Sequence, residues 1–135
     1  MRHWYSYHSE KTMGHTYAST GSSSMYLSRV PQKLEADDII WVIEGDNRTP
    51  KRFSLVDCFE YSDTEFPPFA PSYSRFAIRI LGHHSLLKGP VLLNRADKWF
   101  FDLHGGFITK QKFFSCLEGE PGLIAGLCTA SGIKF

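Results

Sequence analysis

Hydrophobic positions along this chain come in short bursts rather than long helical stripes. HWYSYH at 3–8 is aromatic and loosely alternating, which predicts a first strand ending where Ser9, Glu10 and Lys11 turn polar. IIWVI at 39–43 is an unbroken β-branched and aromatic run, the pattern of a strand buried on both faces. EGDNRTPKR at 44–52 is rich in turn residues and FSLVDCFEY at 53–61 alternates after it, so the two runs are expected to form a hairpin. Alternation assigns Phe53, Leu55, Asp57 and Phe59 to one face of the second strand and Ser54, Val56, Cys58 and Glu60 to the other.

Shorter bursts follow the same logic. MYLSRV at 25–30, RFAIRIL at 75–81, VLLN at 91–94 and KWFFDL at 98–103 are strand candidates. Between them, GHTYASTGSSS at 14–24 is a small, polar loop, and PQKLEADD at 31–38 holds a turn with room for one helical turn. The three prolines within 62–74 force a loop, and GHHSLLKGP at 82–90 is a connection. Gly105 and Gly106 read as a stop, after which Thr109 is positioned to N-cap a helix over 110–117 with Phe113, Phe114 and Leu117 as its apolar stripe. A further helical turn or two is expected after Pro121. Five to seven short strands with short peripheral helices, and no repeat or linker, predict one α+β domain over 1–135 built as a small mixed β-barrel.

Composition sharpens this in two ways. The 42% hydrophobic and 21% charged residues are ordinary for a globular chain, but the 15% aromatic share is high, leaving rings available for stacking on a ligand as well as for the core. A net charge of +1 argues against a general duplex-DNA binder, though not against a local basic stripe. Cys58, Cys116 and Cys128 are odd in number and unpaired in sequence, which fits neither a disulfide framework nor a zinc site and points to a reducing cytoplasm. No signal-type apolar segment or spanning-length run is present, so no membrane partner is expected.

Motifs for catalysis are sparse. There is no glycine-rich phosphate loop. His83 and His84 would point to opposite faces of a strand, and His104 near Asp102 lacks a third ligand, so neither metal nor cofactor is expected. Ser9 with His8 and Asp38 can be drawn as nucleophile, base and orienter, but strand neighbours do not converge. Asp37 and Asp38 read as a solvated turn. Arg48, Lys51 and Arg52 share one hairpin turn, with Lys110 and Lys112 further on. Each alone reads as a solubility residue; together they are candidates for phosphate contacts.

WYSYHSEK at 4–11 resembles the first strand of EVE domains, which reads Tyr-Trp-aliphatic-Phe-Lys-Ser-Glu-Pro. Tyr7, His8, Ser9 and Glu10 fall on the Phe-Lys-Ser-Glu part, and Lys11 replaces the proline. LEADDIIWVIEG at 34–45 resembles the PUA-like element Leu-x-x-Gly-Asp followed by an apolar strand, with Asp37 where glycine is usual. KRFSLVDCFEY resembles the next strand without its glycine, and FITKQKFF resembles the family's Thr-capped helix. The resemblance covers most of the chain as an order of elements and is specific at 7–10 and 34–45.

The PUA-like superfamily, with EVE, YTH and ASCH relatives, is a small β-barrel with peripheral helices. EVE and YTH relatives hold a modified nucleobase in an aromatic-walled pocket. The resemblance therefore implies a nucleic-acid reader of a modified base, flipped from its stack and expected within DNA, and not a catalyst. Some prokaryotic EVE-like domains are fused to nucleases, so a fused or separate nuclease partner is compatible with it. On this reading Tyr7 or Trp99 walls the base, Ser9 with Glu10 or Glu44 meets its polar edge, and the serine-rich loop with Ser22 and Ser23 closes over the sugar. The alternative is a small nucleotide- or RNA-directed hydrolase using the same pocket, as in some ASCH relatives. A close His–carboxylate or His–Ser pair in the pocket would favour it.

Overall fold

The computed structural model describes all 135 residues. Eight strands run in chain order: β1 (His3–Ser9), β2 (Ser24–Leu27), β3 (Ile39–Gly45), β4 (Phe53–Glu60), β5 (Asp63–Glu65), β6 (Ile78–Leu81), β7 (Val91–Leu93) and β8 (Phe114–Cys116). Three α-helices accompany them: α1 (Glu10–Met13), α2 (Lys98–Leu103) and α3 (Pro121–Ser131). One sheet has the order β7-β4-β3-β1-β8, the other β2-β6-β5. The expected α+β class and the β3–β4 hairpin are present; the strands form two separate ladders rather than one closed on itself.

β1 and β3 pair in parallel at the centre of the larger sheet, with His8 opposite Glu44 and Ser9 opposite Gly45. Their C-terminal ends therefore lie side by side. β3 is buried on both faces, from Ile39 at 2% exposure to Ile43 at 0%, as its unbroken apolar run predicts. The chain crosses between sheets at Tyr61 and Ser62: the Tyr61 amide donates to the Asp38 carbonyl in one direction, and the Ser62 amide to the Leu81 carbonyl in the other.

The face assignment of β4 requires a correction. Val42 pairs with Asp57 and Ile43 with Leu55, so Val56 is an extra, bulged residue. A bulge shifts the two-residue alternation by one. Phe53, Leu55 and Cys58 consequently join one core, while Phe59 joins the other. Asp57 is thereby separated from Phe53 and Leu55, with which strict alternation grouped it.

Two further elements differ from the sequence reading. KWFFDL is a helix, not a strand: Phe100 and Leu103, three apart, are buried, while Phe101 is 63% exposed. Segment 110–117 is not a helix. Thr109 closes a π-turn over His104–Ile108, its hydroxyl donating to the Gly105 carbonyl, and so cannot begin a new helix. Gln111 then takes a left-handed φ of 57°, breaking any helical run, and Phe114–Cys116 joins the edge of the sheet beside β1. The helix after Pro121 is longer than expected, at 11 residues.

Two cores follow from the alternation of the central strands. Tyr5, Trp41, Ile43 and Leu55 point toward α2 and α3, where Phe100, Leu103 and Leu127 seal the sheet. The close approach of these helices depends on Gly126: a Cβ there would lie 2.1 Å from Trp99 Cγ. Trp4, Ile40, Val42 and Phe59 point the other way, toward Met25, Leu27, Ile78 and Ile80 of the smaller sheet.

Candidate functional site: a cleft between the sheets

The smaller sheet covers the larger one incompletely. A cleft of about 1270 Å³ opens between them, bordered by β1, β2 and β8 and by the chain around residues 12–20, 28–32 and 73–79. Alternation along β1 aims Trp4 and His8 into this side of the sheet and Tyr5 away from it.

Two groups of rings line the cleft. Trp4 stacks on Phe114, centroids 5.1 Å apart and 14° from parallel. Tyr26 stacks on Tyr73 at 4.2 Å and 3°, with Phe76 tilted beside Tyr26 at 5.4 Å. Trp4 is anchored by Asp38, which is 1% exposed and accepts from Trp4 Nε1 at 3.0 Å, the Arg2 amide at 2.9 Å and the Glu35 amide at 3.1 Å. Burial raises the affinity of this carboxylate for a proton. The hydrogen bonds outweigh it, and the net displacement is below the usual range.

The cleft's charge is one-sided. Arg29, Arg75, Arg79, His8 and His15 line it, and no Asp or Glu does. Arg79 pairs with Glu65 at 2.9 Å and reaches the Ser22 and Ser24 hydroxyls at 3.0 Å, with its guanidinium 5.4 Å from the Tyr26 centroid. Arg75 lies 4.5 Å from the Phe76 centroid and donates to the Ser72 carbonyl. Neither Arg29 nor Arg75 forms an ion pair.

A polar network forms one end. His8 Nε2 lies 2.9 Å from the His15 carbonyl, which can only accept, so this nitrogen carries the proton. The same nitrogen is 3.5 Å from Glu44 Oε2, which also accepts from the Tyr17 amide at 2.6 Å. Burial holds the His8 imidazole below its usual pKa, against the opposing pull of the His15 carbonyl and Glu44. Tyr17 Oη donates to Asp57 at 2.6 Å and accepts from the Ser24 amide at 3.1 Å. Its phenol is pushed well above the usual range by burial first and by Asp57 second. His15 Nε2 sits 2.8 Å from Tyr73 Oη, and its Nδ1 is 3.2 Å from Ser19 Oγ.

The residues named from sequence distribute unevenly around this cleft. Ser9 lines it, and its hydroxyl caps α1 by accepting from the Thr12 amide at 3.2 Å. Tyr7 touches its edge, but the ring lies against Phe53 and Phe113, 6.5 and 5.6 Å away, and over Gly45, where a Cβ would come within 1.9 Å of Tyr7 Oη. Burial, then Glu44 and Asp46, push the Tyr7 phenol up to about 12. Glu44 stands behind His8. Glu10 instead accepts from the Asn47 amide at 2.8 Å, tying α1 to the β3–β4 turn. Ser22 and Ser23 line a smaller depression of about 320 Å³ with Asp57, His83 and His84. Trp99 packs on Gly126 on the helix side of the sheet and does not line the cleft.

The basic residues named from sequence lie elsewhere. Arg48 and Arg52 pair with Asp46 at 3.7 and 3.2 Å in the hairpin turn that also carries Lys51. Lys112 lies 5.8 Å from the Phe107 centroid. None of these, nor Lys110, lines the cleft. The lining residues that sequence reasoning missed include Trp4, His15, Tyr17, Tyr26, Tyr73, Phe76, Phe114 and the three arginines. The shared parity of Trp4 and His8 on β1 was a usable signal. The union of Tyr26, Tyr73 and Arg79, distant in sequence, had no local signature.

No family model, curated protein or solved structure matches this chain. No group of three or more His, Cys, Asp and Glu side chains is arranged to hold a metal ion. No helix is long and apolar enough to cross a membrane.

Proposed function

We propose that this cleft binds a nucleobase carried in nucleic acid, with recognition of a modified base as its task. The carrying observation is that paired rings and three arginines line one cleft containing no carboxylate. A base offers two π-faces, a hydrogen-bonding edge and an attached anion. Rings answer the faces, arginines the phosphate, and groups such as Ser9 and His15 the edge. On this reading the two sheets are an open variant of the PUA-like barrel, acting in the cytoplasm, where the three free cysteines stay reduced. A nuclease supplied by a fused or separate chain would act on what the cleft has recognised.

Titrating oligonucleotides that carry single methylated or hydroxymethylated bases, with unmodified controls, tests the reading through tryptophan fluorescence. Saturable binding, tighter for one modification, is expected. Absence of binding to every nucleic acid at low salt would overturn it.

A hydrolytic reading draws on one specific observation: the Ser19–His15 contact and the His8–Glu44 pair both border the cleft. Two features weigh against it. The Ser19 hydroxyl donates to the Thr16 carbonyl at 2.7 Å, and the far nitrogen of His15 meets a phenol rather than a carboxylate. Turnover of a labelled oligonucleotide that is abolished by both Ser19→Ala and His15→Ala would favour hydrolysis over binding.

A further inference from the structure

The nucleobase reading leaves open whether the cleft takes one flipped base or a length of strand. Its dimensions bear on this. A pocket for a drug-sized ligand holds roughly 300–1,000 Å³, and this cleft, at about 1270 Å³, exceeds that range. Its two ring groups also belong to different elements: Trp4 and Phe114 to β1 and β8 of the larger sheet, Tyr26, Tyr73 and Phe76 to β2 and the chain before β6. Phe114 stacks on Trp4. Tyr73 bonds to His15, whose ring centroid is 5.4 Å from that of His8. No ring of one group lies beside a ring of the other, so each group offers a stacking place of its own.

The cations are spread along β2 and the chain before β6. Arg79 reaches Ser24 at the start of β2, and Arg29 lies two residues beyond its end. Arg75 sits beside Phe76, in the chain that joins Tyr73 to β6. Arg29 and Arg75 are exposed and unpaired, so their charge is available to ligand phosphates.

We infer that the cleft binds an extended single-stranded segment of at least two nucleotides, one base at Phe114 and another at Tyr73, with the intervening phosphates met by the arginines. This rests on the nucleobase reading and narrows its ligand to single strands.

The test is a length series at fixed salt: a mononucleotide, then single-stranded oligonucleotides of two to eight nucleotides, and a duplex of the longest, read by calorimetry. Affinity should rise at least tenfold between the mononucleotide and the tetranucleotide, then level off, and the duplex should bind more weakly than either of its strands. Phe114→Ala and Tyr73→Ala should each lower tetranucleotide affinity about fivefold or more, the usual effect of losing one stacking ring. Arg75→Gln, at an exposed site where the fold is not at risk, should lower tetranucleotide affinity and flatten its salt dependence, because one phosphate contact is lost. A mononucleotide that binds as tightly as the tetranucleotide, or a duplex that outcompetes its strands, would overturn the inference and leave the nucleobase reading standing. No binding to any member of the series would overturn both.

Discussion

The two faces of the five-stranded sheet are built from the same strands and have opposite fates. On the helix face, Tyr5, Trp41, Leu55, Phe100, Leu103 and Leu127 form a continuous core, and Trp99 is pressed onto a glycine. On the other face, Trp4, Ile40, Val42 and Phe59 meet only a three-stranded sheet, and a cleft lined by rings and arginines remains. Aromatic content alone does not distinguish the two. What differs is the covering element: helices bring large side chains down onto a sheet, whereas a short second sheet leaves the end of the sandwich open.

Breaking the closed face should have the largest consequence. Phe100 is fully buried between the sheet and α3, so Phe100→Ala should destabilise the fold by about 3–5 kcal/mol, read from denaturant midpoints. Equal loss from Phe114→Ala would erase the distinction between the faces. Next is Asp38→Ala, which strips the partner from Trp4 Nε1, two backbone amides and Arg2. A loss of about 3 kcal/mol is expected in the same assay.

Tyr73→Ala acts on the open face. It should reduce affinity for single-stranded ligand by about 1–3 kcal/mol in calorimetry. Little change in the unfolding midpoint should accompany it, because the ring is only half-buried. Ser9→Ala removes the cap of a four-residue helix at the cleft's edge and should cost about 1 kcal/mol of stability. Any change in preference between bases beyond that would assign the hydroxyl to ligand recognition as well.

The smallest effect is in pH. Burial lowers the pKa of His8 below its unfolded value of 6.5, so the unfolded chain takes up the proton first. The resulting stability is fully present above 6.5 and is lost as pH falls through that value toward the lowered folded one. His3 and His104 are displaced in the same direction, again chiefly by burial. Thermal unfolding followed between neutral and mildly acidic pH should therefore decline, and His8→Gln should reduce that slope without abolishing it. An unchanged slope would mean that His8 is as accessible to protons in the folded chain as in the unfolded one.

Local pattern was sufficient where one period was enforced over a whole segment. The apolar run of β3, the turn after it and the loose alternation of β1 predicted three strands and the hairpin, because a strand buried on both faces tolerates almost no polar residue. Pattern failed where a short run fits two periods. KWFFDL satisfies both a strand and one helical turn, and only packing against α3 makes Phe100 and Leu103 the buried pair. The bulge at Val56 lay outside any alternation rule, since an inserted residue is defined by its partner strand and not by its neighbours in sequence.

The candidate site divides in the same way. The sequence by itself determined that His8 and Ser9 end the first strand and that the chain is rich in aromatic rings. Tertiary structure alone decided which rings border a cavity: it drew Trp99 onto Gly126, turned Tyr7 toward Phe53, and gathered Tyr26, Tyr73 and Arg79 from separate segments. The physical reason is that strand period fixes which face a side chain takes, whereas the covering of that face depends on contacts between residues far apart in the chain.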